Sequence, residues 1–301
     1  MFLGVDIGGT KTAVCIGDQH GNILDKIKFP TSTPQKTVEQ IIASGRTLLN
    51  GQQPLAIGIS CGSPQDAEKG IIQAPPNLPD WVDIPITDIL GKAFYAPAFL
   101  ANDANACALA EWKFGAGAGT KNMIFLTFGT GMGAGLILNG KLYEGTCGMA
   151  GEAGHMRLTA DGPIGYGKAG SFEGYCSGGG IVKLAQQMGH HSFSNTKEIC
   201  DAAKLGDPVA KSVIDESARQ LGQGLSILID LLNPQRIVIG SIFARAEALF
   251  RPEMERIISQ EVLDANRTAC QIVPAQLGEQ IGDVAALSIA VVRWEETHHV
   301  Q

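Results

Sequence analysis

Asp6 ends a short apolar run, and Gly8, Gly9, Thr10, Lys11 and Thr12 follow almost at once, in the stretch MFLGVDIGGTKT. This combination suits phosphate chemistry. Glycine lets the backbone approach a ligand closely. Exposed N–H groups and the hydroxyls of Thr10 and Thr12 can donate to phosphate oxygens, and the Asp6 carboxylate could hold Mg2+ directly or through water. The same stretch also reads as a β-hairpin closed by a glycine turn. A second stretch, FGTGMGAG at 128–135, has the same strand–glycine–threonine–strand character. It is neither a G-x-x-x-x-G-K-[ST] phosphate loop nor a G-x-G-x-x-G turn leading into a helix. Alone it is a flexible glycine turn, but two such turns, one per lobe, could clamp a polyphosphate from both sides.

Two further groups carry possible chemistry. In ANDAN, at 101–105, Asn102 and Asp103 stand where a strand hands over to a helix. Either residue could simply cap that helix. Asp103 could equally act as a general base, taking a proton from a hydroxyl as it attacks phosphorus, with Asn102 orienting the same substrate. In GEAGH, at 151–155, Glu152 and His155 lie three apart and share a face if the segment is helical. Such a pair can bind metal, but a two-metal bundle needs a second copy that the chain lacks. The alternative is a polar pair gripping sugar hydroxyls.

The elements that must position these residues follow from apolar patterning. Strands are expected at 2–7, 12–18 and 23–31, so that the chain opens with antiparallel strands folded around Gly8 and Gly9. A helix is expected at 37–50, an apolar strand at 54–62, and a strand running into a helix at 98–115, the helix opening near Asp103. The second glycine turn lies between β-rich runs within 122–145; a long helix at 217–234 ends at Asn233-Pro234, a buried strand follows at 236–242, and a final helix begins near Asp283. Strands and helices mixed in this way, twice over, describe an α/β protein of two lobes with a cleft between them. The lobes are placed at 1–115, joined by the C-terminal helix at about 284–301, and at 116–283, with GAGAGT (115–120) as the hinge.

Composition narrows the function. The 301 residues carry a net charge of −7, which argues against nucleic acid as the main partner but not against a small anionic ligand held by backbone N–H groups and metal. The seven cysteines are irregularly spaced with no C-x-x-C pair, so a reducing cytoplasm is expected rather than a disulfide framework. No signal peptide is evident, and no apolar run is long enough to span a membrane.

Taken together, DIGGTKT, LANDANACALAEW, FGTGMGAG and AGEAGH fall in the order and spacing of the ROK family of repressors, uncharacterised frames and sugar kinases. PPNLPDW (75–81), FEGYCSGGGI (172–181) and LLNPQRIVIG (231–240) extend the resemblance over nearly the whole chain. The resemblance implies a two-lobed actin-like, ribonuclease-H-like ATPase fold with a central cleft, and phosphorylation of a hexose by Mg-ATP, usually on the 6-hydroxyl. Asp103 matches the family's catalytic base. Asn102, Glu152, His155 and Glu173 match its sugar-binding positions, and Ser63 and Asn77 fall in loops that line its sugar pocket. Asp6, Gly8, Gly9, Thr10 and Lys11 match the first phosphate motif, Thr130 and Gly131 the second, and Gly240 the segment near the adenosine. Asp6 would serve Mg2+ through water. Family members are often dimers; the sequence leaves the oligomeric state open.

The sequence departs from the family in two places. Many relatives hold a structural zinc with the histidine of G-x-x-G-H and three cysteines. Here Ile164, Tyr166 and Ser171 stand where those cysteines would be, so with His155 alone no zinc is expected, and packing by Tyr166 and Phe172 would replace the metal. In GSIF, at 240–243, Ser241 and Ile242 replace glycines common near the nucleotide. Three functions compete. A sugar-responsive repressor would carry a helix-turn-helix before the first motif, whereas five residues precede Asp6 in an acidic chain. A non-catalytic sugar sensor would be expected to lose Asp103 or a phosphate turn, and both are present. A sugar kinase is the expectation. Glucose, N-acetylmannosamine, N-acetylglucosamine, fructose, allose and β-glucosides all serve relatives; Glu152, His155 and Glu173 favour a pyranose over fructose.

Overall fold

A computed structural model describes residues 1–298; residues 299–301, the end of the predicted final helix, lie outside the described residues. The chain opens with β1 (Phe2–Ile7), β2 (Lys11–Gly17), β3 (Ile23–Pro30), α1 (Pro34–Leu49) and β4 (Ile57–Cys61). It continues through β5 (Gln65–Asp66), β6 (Ile71–Ile72), α2 (Ile86–Phe94), β7 (Ala98–Ala101) and α3 (Asp103–Phe114). Next come β8 (Met123–Leu126), β9 (Ala134–Leu138), β10 (Lys141–Leu142), β11 (Ile164–Gly165) and β12 (Lys168–Ala169). The helices α4 (Phe172–Tyr175), α5 (Gly178–Gln187), α6 (Thr196–Lys204) and α7 (Pro208–Leu232) follow. The last elements are β13 (Arg236–Ile239), α8 (Ser241–Glu261), α9 (Asp264–Ala269), β14 (Gln271–Pro274) and α10 (Ile281–His298).

These elements form two compact units. One holds Met1–Gly119, Leu142–Ala150 and the tail from Gln276; the other holds Thr120–Lys141 and Gly151–Ala275. Residues 116–119, 142–150 and 276–283 thus pack with the first unit, where the sequence reading had put them in the second lobe. Arg293 of α10 pairs with Glu144, and the Glu111 carboxylate of α3 accepts the N–H groups of Gln276 and Leu277.

The sheet of the first unit has the order β3-β2-β1-β4-β7, with β1 antiparallel to β2 and parallel to β4. Alternation along β1 sends Leu3, Val5 and Ile7 into a core with Ile41, Leu48, Ile86 and Leu90 of α1 and α2. Phe2 points to the opposite face, where it packs with Leu287, Ala290 and Val291 of α10 and meets Trp294 edge-on. By the same alternation Asp6 shares the α10 face. The helix lies almost on the backbone there: a Cβ on Gly58 would stand 2.1 Å from the Ala286 carbonyl oxygen.

The second unit repeats the plan, with the order β10-β9-β8-β13-β14, an antiparallel β8–β9 hairpin and parallel β8, β13 and β14. The predicted α/β character is therefore present twice. The long predicted helix begins earlier than 217, at Pro208, where Asp207 caps it by accepting the Ala210 N–H; Ala210, Val213 and Ile214 of its first two turns are already on the buried face. The strand predicted to 242 stops at Ile239; Gly240 instead caps α8, and Ser241 takes a left-handed φ of 54°. Among the described residues no helix is long and apolar enough to cross a membrane.

Candidate active site

The first glycine turn joins β1 to β2. The Gly8 N–H donates to the Lys11 carbonyl at 3.1 Å, and Gly9, Thr10 and Lys11 are exposed. Thr12 is not. It is fully buried, its hydroxyl lies 2.8 Å from that of Thr31, and the Thr31 hydroxyl donates to the Gly8 carbonyl at 2.7 Å. Thr12 therefore donates to Thr31 and braces the turn from beneath. This corrects the reading of its hydroxyl as a phosphate donor: Thr12 is the second residue of a strand covered on both faces. Gly9 approaches Asn77 so closely that a Cβ would lie 2.7 Å from the Asn77 Cβ, so the turn and the 75–81 loop meet directly. Ser63, partly buried, follows the end of β4 and precedes Pro64 in a cis peptide bond.

Asp6 sits just before this turn. Burial, and then the carboxylates of Asp283 and Asp103, push its carboxyl up to about 6, against the pull of Lys28 and the Ser60 hydroxyl. Asp103 is the first residue of α3. Asn102 caps that helix, its side-chain oxygen accepting the Asn105 N–H at 2.7 Å, which leaves its amide nitrogen outside the cap. The Asp103 carboxylate reaches solvent yet is ringed by protein, and lost solvation raises its pKa although the Ala104 N–H donates to it at 2.9 Å. Three carboxylates on one unit make an anionic patch with hard oxygen donors, which fits a divalent cation. Among the described residues no group of three or more His, Cys, Asp or Glu side chains is arranged as a ligand set.

In the second unit, the turn between β8 and β9 is held by the Thr127 hydroxyl, which accepts the Gly133 N–H at 2.8 Å, and by a Gly129 N–H to Gly131 carbonyl bond at 3.1 Å. Thr130 is exposed at its tip. One oxygen of Glu173 accepts the Met132 N–H at 3.0 Å, so this predicted sugar residue also braces the turn. The Gly178 N–H, opening α5, donates to the Gly129 carbonyl at 2.7 Å, and the Gly240 N–H donates to Leu126 at 2.9 Å. The start of α5, the start of α8 and the glycine turn therefore form one cradle, which the sequence reading credited only to Thr130, Gly131 and Gly240.

Glu152 and His155 do not share an α-helical face: Ala153–His155 is a single 3₁₀ turn that Glu152 precedes. Tyr166 links them instead. Its hydroxyl donates to Glu152 at 3.2 Å, and its ring stands edge-on to the His155 ring, centroids 5.5 Å apart at 89°. Of the three positions set against a zinc site in the sequence reading, Ile164 is exposed, Tyr166 makes these contacts, and the buried Ser171 hydroxyl donates to Gly165 at 3.0 Å and accepts the Gly174 N–H at 3.1 Å. Cys176 is fully buried, its thiol bonded to the Ser217 carbonyl. These side chains do not fit a zinc ion. Phe172 is fully buried against Gly224 of α7.

The ROK family model matches residues 2–292 of the chain. The chain belongs to the ROK family. This ROK protein is 33% identical to a glucokinase of Streptomyces coelicolor over 96% of its own length and 97% of that protein. It resembles the crystal structure of a ROK family glucokinase from Streptomyces griseus in complex with glucose and AMPPNP, at 33% identity and a TM-score of 0.75, covering 96% of this chain and 98% of that one. The ROK hexokinase of Thermus thermophilus matches with a TM-score of 0.85 and 29% identity, over 98% and 99% of the two chains. These neighbours carry the actin-like ATPase fold, and this ROK chain shares it.

Proposed function

We propose that the protein is an ATP-dependent sugar kinase that transfers the γ-phosphoryl group to the 6-hydroxyl of a pyranose hexose, glucose first among the candidates, with Asp103 as general base. The glucokinase and hexokinase relatives support the reaction class over essentially the full chain. The observation that carries the residue assignment is Asp103 at the start of α3, with a raised carboxyl, on the unit that also bears the Gly8–Lys11 turn and Asp6.

A sugar hydroxyl is a poor nucleophile at neutral pH, so a carboxylate that takes its proton lowers the barrier. Lost solvation makes the Asp103 carboxylate a stronger base than a free aspartate. The Asn102 amide, Ser63 and Asn77 would orient the sugar from the same unit; Glu152, His155 and Glu173 would bind its hydroxyls from the other. Gly9, Thr10 and Lys11, with Thr130 and Gly131, would cradle the nucleotide at the two turns, while Gly8 and Gly240, whose N–H groups are taken by the Lys11 and Leu126 carbonyls, would hold the backbone that shapes the site. Bound Mg2+ would neutralise phosphate charge, and Asp6 would hold it through water. Tyr166 would orient Glu152 and His155 without zinc.

The test is 31P–1H correlation NMR on the products of Mg-ATP with a panel of hexoses and N-acetylhexosamines. Phosphate on carbon 6 of a pyranose is expected. A folded protein that binds ATP and phosphorylates no sugar, or that phosphorylates another carbon, would overturn the proposal.

A further inference from the structure

Asp283 is almost fully buried at the start of α10, yet it carries a charge no core position needs. Its place is fixed from two sides. From β3, Lys26 and Lys28 reach its two oxygens at 2.7 and 3.2 Å. From beneath, the Cys15 thiol of β2 donates to its carbonyl at 3.6 Å. Strand register puts this cluster beside Asp6. Asp6 pairs with Ala13, which pairs with Lys28; Gly4 pairs with Cys15, which pairs with Lys26. Asp6, Lys28, Cys15 and Lys26 therefore occupy two adjacent rows on the face that α10 covers. Gly282, the residue before Asp283, lies over Asp6 itself: a Cβ there would stand 3.4 Å from an Asp6 carboxylate oxygen.

The charges on this face run Asp6, Asp283, then two lysines. Without Asp283, Lys28 in the row of Asp6 and Lys26 in the next row would face the carboxylate assigned to the metal across one strand, with no counter-charge beside them. We propose that Asp283 is a positioning residue for the metal: it neutralises Lys26 and Lys28, fixes the start of α10 over Asp6, and keeps the Asp6 end of the sheet negative enough to hold a hydrated divalent cation. This rests on the reading of Asp6 as the residue that holds Mg2+ through water.

Direct binding tests it without turnover. The affinity for AMPPNP is measured by calorimetry in excess Mg2+ and in excess EDTA, and the ratio of the two is the metal's contribution. Asp283→Asn, which keeps the shape and removes the charge, should lower that ratio roughly three- to tenfold, the scale of one unit charge acting on a divalent ion across a partly solvated gap. Lys28→Met, at an exposed side chain, should raise it. Merely structural roles would not move the ratio in opposite directions. Asp6→Asn separates the two readings. If it lowers the ratio while Asp283→Asn and Lys28→Met leave it unchanged, Asp6 keeps its role and the inference about Asp283 is overturned. If Asp6→Asn leaves the ratio unchanged, the metal reading falls and this inference falls with it.

Discussion

Replacing Glu111 by glutamine should destabilise the first unit by about 2–3 kcal/mol, and replacing it by alanine by roughly 4–6 kcal/mol. The Glu111 side chain is fully buried in α3. One of its oxygens accepts the N–H groups of Gln276 and Leu277 at 2.9 and 2.8 Å, and the other accepts that of Ala116 at 2.8 Å. It thereby ties the end of α3 to the segment that leads into α10. A hydrogen bond to a charged acceptor is worth about 1.5–3 kcal/mol net. Glutamine keeps an oxygen for two of the three donors but turns an NH2 group toward the third, so one such bond is lost. Alanine removes the shared acceptor from all three and leaves a cavity. Trp81, Trp112 and Trp294 are the chain's three tryptophans and all lie in the first unit, so intrinsic fluorescence in urea reports its unfolding. A glutamine variant within about 0.5 kcal/mol of the parent, or an alanine variant no weaker than glutamine, would refute the reasoning.

Gly58→Ala should prevent α10 from seating, because the new methyl would stand 2.1 Å from the Ala286 carbonyl oxygen; the expected loss exceeds about 3 kcal/mol, and an unchanged melting temperature would contradict it. Tyr166→Phe removes the hydroxyl from Glu152 and keeps the ring against His155, so the sugar KM should rise about fivefold, one neutral hydrogen bond's worth, with kcat little changed and no response to added zinc while Mg2+ is kept in excess. The raised carboxyl of Asp103 gives a signed pH effect. In the folded chain its ionised form is disfavoured relative to the unfolded chain, where it titrates near the ordinary 3.8. That penalty is absent below 3.8, grows as pH rises toward the raised value and is constant above it. Asp103→Asn should therefore be the more stable protein at pH 7–8, with the difference shrinking in acid; melting curves from pH 4 to 8 measure it, and equal stability across that range would count against the assignment.

Much of the candidate site was legible because glycine turns depend on residue type at close spacing. Asp6 with Gly8 and Gly9, Asn102 with Asp103, and the 128–135 glycines are each contained in one short stretch. What escaped depends on contacts between distant segments. Asp283 gains meaning only where α10 meets β1 and β3, and Thr31 only where β3 returns beside the first turn. Thr12 was misread because a threonine beside glycines looks exposed until strand register turns it inward. Glu152 and His155 would share a face only if the segment were helical, but with Gly151 and Gly154 in the same short stretch it takes one 3₁₀ turn. The start of α7 was missed although the Asp207-Pro208 cap and the Ala210, Val213 and Ile214 spacing mark it, and α8 was missed because a strand had been extended through its cap. Tyr166 was expected to pack in place of metal, and its contacts with His155 and Glu152 are what a side chain in that position makes.

The central claim is sugar phosphorylation with Asp103 as the base. Its most direct test is a coupled ADP-release assay with Mg-ATP over a panel of hexoses, run on the parent protein and on Asp103→Asn. The account predicts sugar-dependent turnover in the parent and a loss of about a hundredfold or more in kcat for the variant, with ATP binding intact. Sugar-dependent turnover that survives in Asp103→Asn would contradict it.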